Sequence, residues 1–93
     1  MATSINVVID ISHHQEIVDF AKMKQDGIVG VIHKATQGFS FVDKKYKTRQ
    51  TEVLAAGLLW GAHHFGVGGD GSDQAEFFLK TVQPDGRTLL VLD

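Results

Sequence analysis

Residues 56–65 read Ala-Gly-Leu-Leu-Trp-Gly-Ala-His-His-Phe, and the fold prediction depends on the pattern they contain. Gly57 is positioned to end a helix, the run Leu58–Ala62 is apolar without interruption, and His63 and His64 follow it. Such a run is typical of a strand that is buried on both faces of a parallel sheet. This stretch therefore predicts the return from a helix into a parallel strand, with polar groups at the carboxyl end of that strand.

The same pattern recurs along the chain. Three further apolar runs, rich in β-branched residues, predict strands at Ile5–Ile9, Ile28–Ile32 and Thr88–Leu92. A glycine precedes each of the last three predicted strands, at intervals of about 30 residues, the length of one βα unit: Gly27, Gly57 and Gly86. The predicted order is β-α-β-α-β-α-β, an α/β fold with a parallel sheet. Either an open doubly wound sheet or part of a (β/α) barrel satisfies this order.

Helical periodicity fills the segments between the predicted strands. The clearest amphipathic stripe belongs to the third helix and consists of Ala75, Phe78, Leu79 and Val82. Asp43 is positioned to cap the second helix, and Asp73 with Glu76 has the spacing of a capping box for the third. These signals predict one helix in each connection between strands.

Composition bounds the size of the chain and its partners. The 93 residues are 43% hydrophobic and 22% charged, enough for one domain, and the absence of cysteine excludes disulfides and thiolate chemistry. The net charge is −2, so neither a nucleic-acid partner nor a membrane partner is expected. One basic cluster is interpreted as a solvated helix face: Lys44, Lys45, Lys47 and Arg49.

Polar residues collect at the predicted strand ends, where the loops of a parallel α/β sheet meet and where its chemistry takes place. All five histidines lie there. Asp10 and Asp93 end the first and fourth predicted strands, and glycoside hydrolysis requires such a pair of carboxyl groups. A capping role for either Asp stays open. Phe39 and Phe41, in the loop after the second strand, are predicted to form a platform for a sugar ring, whereas Trp60 is assigned to the core.

The pairs His13-His14 and His63-His64 raise the question of a metal site. Adjacent residues of a strand point to opposite faces, so only one member of each pair can reach a shared ion. The usual metal-binding spacings are absent. We therefore predict neither a metal site nor a cofactor, and a metal-dependent hydrolase that uses these histidines with Asp10 is kept as an alternative. The Gly-rich loop after the third strand lacks phosphate-binding fingerprints and is interpreted as a flexible active-site loop.

Four segments, taken together, resemble glycoside hydrolase family 25, the Chalaropsis-type lysozymes. They are Val8–Gln15 in the first strand, Lys34–Gly38 after the second, Ala56–Phe65 around the third and Val91–Asp93 in the fourth. The resemblance extends over essentially the whole chain. It implies a muramidase that cleaves the β-1,4 bond between N-acetylmuramic acid and N-acetylglucosamine in peptidoglycan. It also implies a modified TIM-like (β/α) barrel, of which these residues are the first half.

The resemblance implies which residues form the site. Asp10 and Asp93 correspond to two catalytic acidic residues, and the implied substrate-binding residues are Lys34, Gln37, Phe39, His63 and His64. The family's general acid, a Glu, falls two residues after the position of Asp93. Gln37 stands where the family has Glu, and His63 stands where it has Tyr. Both differences are expected to alter binding or its pH dependence.

The resemblance also leads to expectations about the chain as a unit. It is expected to form a single partial barrel domain over residues 1–93, truncated after the fourth strand and inactive by itself, with peptidoglycan glycan strands as its partner. An uncovered sheet face that includes Val8 and Val91 is expected to cause self-association. The alternative is a non-catalytic, glycan-binding or degenerate lysozyme-like fragment. Met1–Asn6 lacks the charged n-region of a signal peptide, which favours a protein that is cytoplasmic before release, such as a phage endolysin or a delivered effector.

Overall fold

The computed structural model describes residues 7–16 and 18–92, which form one sheet flanked by helices. The elements in chain order are β1 (Val7–Ile11), α1 (Phe20–Gln25), β2 (Ile28–Gln37), β3 (Phe41–Val42), α2 (Tyr46–Ala55), β4 (Leu59–Phe65), α3 (Gly71–Val82) and β5 (Thr88–Leu92). Four strands are parallel in the order β1-β2-β4-β5, and the two-residue β3 pairs antiparallel with the end of β2. The predicted alternation is therefore confirmed, and β3 is an addition too short for a sequence pattern to reveal.

The helices pack against one face of the sheet, which we call the covered face. It is built from alternate residues of the two central strands, and these join the helix residues in one buried cluster that includes Val31, Ala35, Trp60, Ala62, Phe20, Tyr46, Val53 and Phe78. Burial of a large apolar side chain of this kind contributes roughly 1.5–3 kcal/mol. Helices on one face are the arrangement of a barrel wall rather than of a doubly wound sheet, which decides between the two predicted architectures.

The opposite face, which we call the open face, has no element covering it among the described residues. Val8, Leu59 and Leu89 are 50%, 69% and 57% exposed there, and they line a groove of about 280 Å³. A Cβ on Gly30 would lie 3.2 Å from the Cβ of Leu59, and a Cβ on Gly61 would lie as close to that of Leu89. The prediction that the apolar runs are buried on both faces is therefore wrong for the described residues.

Three strands run further toward their carboxyl ends than predicted. β1 reaches Ile11, β2 reaches Gln37 and β4 reaches Phe65, whereas the predicted strands ended at Ile9, Ile32 and Ala62. Backbone pairing of β2 with β4 continues through the polar segment as far as the Gln37–Phe65 pair, and this pairing keeps the strands extended after the apolar runs end. Polar residues expected beyond the strand ends therefore lie within the last residues of the strands.

The helix caps differ from the predicted ones. The carboxylate of Asp70 accepts hydrogen bonds from the N–H groups of Ser72 and Asp73 and so caps α3, which begins before the predicted capping box. α2 begins after Lys45 and has no side-chain cap. Asp43 is therefore not its N-cap, and its carboxylate has another role, described below.

Two of the three predicted helix-ending glycines are confirmed. Gly27 and Gly57 have φ of 99° and 80°, a region that favours glycine. α3 ends instead at Gln83, whose φ of 48° is left-handed, so Gly86 does not end this helix. No helix in the part of the chain that the structure describes is both long enough and apolar enough to cross a membrane.

Candidate active site

The carboxyl ends of the strands bring Asp10 and His63 together on the open face. Nδ1 of His63 lies 3.0 Å from Oδ1 of Asp10, and the Asp10 side chain is 59% exposed while that of His63 is 11% exposed. The contact lacks hydrogen-bond alignment, and Nδ1 of His63 has no hydrogen-bond partner among the described residues. The result is an accessible carboxylate beside a buried imidazole nitrogen that can donate or accept a further hydrogen bond.

Lys34 lies on the same face, paired in register with His63. Its ammonium group is 4.8 Å from the ring centre of Phe41 and 5.5 Å from that of Phe65, and it donates a hydrogen bond to Oε1 of Gln37. Both rings are nearly half exposed. Lys34, Gln37 and the two aromatic rings thus form one cluster, which we call the lysine cluster.

His64, the neighbour of His63, points to the covered face and is 3% exposed. Its Nε2 donates to Oε1 of Gln74 at 3.0 Å, and its Nδ1 accepts from Oγ1 of Thr36 at 2.7 Å. Gln74 also bonds both the N–H and the carbonyl of Val67, in the Gly-rich loop that follows β4. His64 therefore helps to position that loop, and its ring lies on the opposite face of the sheet from Asp10.

A second buried network holds the loop that follows Asp10. Arg49 is 4% exposed and donates to the carbonyl oxygens of Ser12 and Gln15. Its Nη1 also lies 3.2 Å from Nε2 of His33, whose Nδ1 donates to the carbonyl of Lys34. The interpretation of Arg49 as part of a solvated helix face is therefore wrong, because it packs inward from α2 and neutralises the partial charge of two loop carbonyls.

Burial lowers the pKa of His33 below its ordinary value of 6.5, and the positive charge of Arg49 acts in the same direction. The hydrogen bond to the Lys34 carbonyl and the negative charge of Asp43 oppose this shift without reversing it. His33 is therefore neutral at pH 7, which agrees with a ring that donates through Nδ1 and accepts through Nε2.

Asp43 anchors the same loop from the other side. Its carboxylate accepts hydrogen bonds from the N–H and from Nδ1 of His13, both at 2.9 Å, and from the N–H of Lys45. Burial raises the pKa of Asp43, but these hydrogen bonds outweigh it, so the pKa is lowered from its ordinary value of 3.8. Asp43 is therefore an ionised structural carboxylate rather than a helix cap.

The structure brings four of the sequence-predicted site residues to one face: Asp10, Lys34, Gln37 and His63. Phe39 lies instead beside the Gly-rich loop, where its ring is next to Gly69 and is 46% exposed. Asp93 lies outside the described residues. Phe65 was missed because it follows the predicted end of the third strand at Ala62 and carries no polar group that would single it out.

Metal binding receives no positive support. No group of three or more His, Cys, Asp or Glu side chains that could hold an ion occurs within residues 7–16 and 18–92.

Helices on one face of a parallel sheet, with polar side chains at the strand ends, define a scaffold of the (β/α)-barrel class. Residues 9–93 match the family model of glycosyl hydrolases family 25. The chain therefore belongs to glycosyl hydrolases family 25.

Solved structures agree with this assignment. A family GH25 lysozyme from Aspergillus fumigatus is 42% identical, with a TM-score of 0.83, over 90% of this chain and 43% of that one. The bacterial lysozyme from Streptomyces coelicolor is 31% identical, with a TM-score of 0.86, over 98% of this chain and 45% of that one. These similarities confirm that the fold corresponds to part of a modified TIM-like barrel.

Among curated relatives, the autolytic lysozyme of Clostridium acetobutylicum is 36% identical over 74 residues, which are 80% of this chain and 23% of the relative. Lysozyme M1 of Streptomyces globisporus is 32% identical over 86 residues, 87% of this chain and 29% of the relative. The chain thus spans less than a third of these curated relatives and less than half of the two structures above.

Proposed function

We propose that residues 1–93 form a single partial barrel domain that supplies the amino-terminal part of a muramidase site. The substrate is the peptidoglycan glycan strand, and the bond cleaved in the assembled site is the β-1,4 bond between N-acetylmuramic acid and N-acetylglucosamine. The observation that carries this proposal is the exposed Asp10 carboxylate at the end of β1, 3.0 Å from His63, in a chain that matches family 25 from residue 9.

Asp10 has the properties of a group that stabilises positive charge. A glycosidic bond breaks through a transition state with positive charge at the anomeric carbon. A carboxylate at a strand end, facing the substrate, stabilises that charge by electrostatic attraction.

These 93 residues are proposed to bind glycan without cleaving it. Glycoside hydrolysis uses two carboxyl groups, and Asp10 is the one acidic residue within the described strands. Asp93 and a general-acid Glu complete the proposed site in the assembled enzyme. The presence of Asp10 as the one acidic residue within the described strands also suits a second candidate function. In that function the chain binds glycan and takes no part in its cleavage.

A chimera separates these two functions. Residues 1–93 are joined to the segment of the Aspergillus fumigatus lysozyme that follows its matched part, and reducing-sugar release from purified bacterial walls is measured. We expect the chimera to release sugar and Asp10→Asn to reduce the rate roughly 100-fold or more, the magnitude typical of a lost electrostatic contact to the transition state. The matched control is Asp26→Asn, which changes an exposed carboxylate at the end of α1.

The 93-residue chain itself is tested by retention on purified peptidoglycan. We expect retention without sugar release. Equal rates for the chimera and its Asp10→Asn variant would overturn the catalytic role of Asp10, and a folded chain that is not retained would overturn the proposed substrate.

A further inference from the structure

The Lys34 ammonium group has no ionic partner among the described residues. Each ion pair of those residues involves other side chains, and the contacts of Lys34 are two aromatic rings and the neutral amide oxygen of Gln37. Aromatic faces attract a cation through their quadrupole but carry no net charge. The positive charge of Lys34 is therefore held in place without being neutralised.

The lysine cluster is built to hold that charge in one position. Phe41 reaches Lys34 from β3 and Phe65 reaches it from β4, so the ammonium group lies between rings from two different strands. The amide oxygen of Gln37 accepts a hydrogen bond from one of the three N–H groups of the Lys34 ammonium. The two remaining donors are available to a ligand, and rings that are 43% and 47% exposed border the same space.

The position of the cluster relates it to the proposed site. Lys34 is paired in register with His63, and His63 contacts Asp10. A glycan strand that lies against Asp10 on the open face therefore extends toward Lys34. The exposed rings suit the apolar faces of sugar units, and the ammonium group suits an anion carried by the strand.

We propose that Lys34 is a charge-selecting subsite that binds a carboxylate of the glycan and so favours peptidoglycan over neutral chitin-type strands. This proposal rests on the proposed function, because it deepens the substrate preference of the same site. The carboxylate has two sources. It belongs to the lactyl group of muramic acid in peptide-free strands, and to the stem peptide where the lactyl group is amide-linked.

Gln37 is the residue on which selectivity depends. Its amide accepts a hydrogen bond from Lys34 but leaves the charge uncompensated. A carboxylate of the same size at position 37 would form an internal ion pair with Lys34 and compete with the ligand. Gln37→Glu thus removes the anion site without removing any side chain, and it complements Lys34→Met, which removes the cation itself.

The test is calorimetric binding of three tetrasaccharides to the 93-residue chain: neutral chitotetraose, the peptide-free alternating N-acetylglucosamine and N-acetylmuramic acid compound, and the latter with its stem peptides. The quantity compared is the ratio of the Kd for chitotetraose to the Kd for each anionic ligand. We expect Lys34→Met and Gln37→Glu each to lower this ratio about tenfold, the value of one charge-assisted hydrogen bond. Lys47→Met, an exposed charge change on α2, is the matched control.

The outcomes are distinct. A response confined to the peptide-free compound assigns the site to the lactyl carboxylate, and one confined to the peptide-bearing compound assigns it to the stem peptide. A ratio unchanged in both variants overturns the charge-selecting site while the proposed function stands. Failure of the unmodified, folded chain to bind any of the three overturns the proposed function, and this inference with it. Circular dichroism verifies the fold of each variant, and Gln37→Glu keeps the test decisive if Lys34→Met does not fold.

Discussion

The two faces of the sheet use the same strands for opposite purposes. On the covered face, His33, His64 and Arg49 are buried and each has hydrogen-bond partners. On the open face, Asp10 is exposed and Nδ1 of His63 has no hydrogen-bond partner. Buried polar groups that are paired support a structure, whereas an exposed carboxylate such as that of Asp10 is available to a ligand.

The largest expected effect concerns the apolar part of the open face. β1 and β5 are the edges of the described sheet, and its four main strands are parallel, half of the eight in a closed (β/α) barrel. Two copies related by a twofold axis along the barrel would place β5 of one beside β1 of the other. We expect the 93-residue chain to double its mass by such pairing, as measured by light scattering.

Leu59→Glu is expected to abolish that association, because it inserts a charge on the open face at a side chain that is 69% exposed. Leu79→Glu changes a half-exposed side chain of α3 and is expected to leave the mass doubled. A folded monomer at high concentration for the unmodified chain would contradict the prediction.

The second effect concerns the covered face. Arg49→Met leaves the carbonyl oxygens of Ser12 and Gln15 without their donor, and we expect it to lower the free energy of unfolding by about 3 kcal/mol in urea denaturation. Lys47 lies two residues before Arg49, on the exposed side of α2. We expect Lys47→Met to change the free energy of unfolding by less than about 0.5 kcal/mol. Equal effects of the two substitutions would show that Arg49 does not hold the loop.

Adjacent histidines of β4 allow a direct comparison of the faces. His64→Leu removes the hydrogen-bond partner of Thr36 and Gln74 and is expected to cost about 2 kcal/mol of stability. His63→Leu breaks no hydrogen bond, so it is expected to affect stability less and peptidoglycan retention more. The reverse ranking, measured by urea denaturation and wall retention, would contradict the division of roles between the faces.

The smallest effect is a pH dependence that arises from His33. Because its pKa is lowered in the folded state, the unfolded chain binds more protons as the pH falls through 6.5, and folding stability decreases. The loss of folding stability is complete only below the pKa of His33 in the folded state. One titrating group changes the free energy of unfolding by at most about 1.4 kcal/mol per pH unit. His33→Gln is expected to reduce the slope of stability between pH 7.5 and 5.5, whereas His14→Gln, at an exposed position, is not. An unaltered slope in His33→Gln would contradict the assignment.

The sequence predicted much of the fold because parallel strands and their helices leave local signals. The apolar runs located all four main strands, and Gly27 and Gly57 marked helix ends because a positive φ favours glycine. The strand ends were predicted less well, since backbone pairing, rather than side-chain polarity, keeps β2 extended to Gln37. Whether the open face is covered depends on how elements distant in the chain pack. A local sequence pattern therefore could not predict that this face is exposed.

Of the candidate site, Asp10, Lys34, Gln37 and His63 could be selected from the sequence alone, by residue type, order and resemblance to family 25. Sequence determined the alternation by which only one of two adjacent histidines faces the site, because successive side chains of a strand point in opposite directions. Only the tertiary structure decided which one: His63 contacts Asp10 of β1, while His64 bonds Gln74 of α3. It also decided that Arg49 is buried and that Lys34 lies between two rings, because these contacts join strands and helices far apart in the chain.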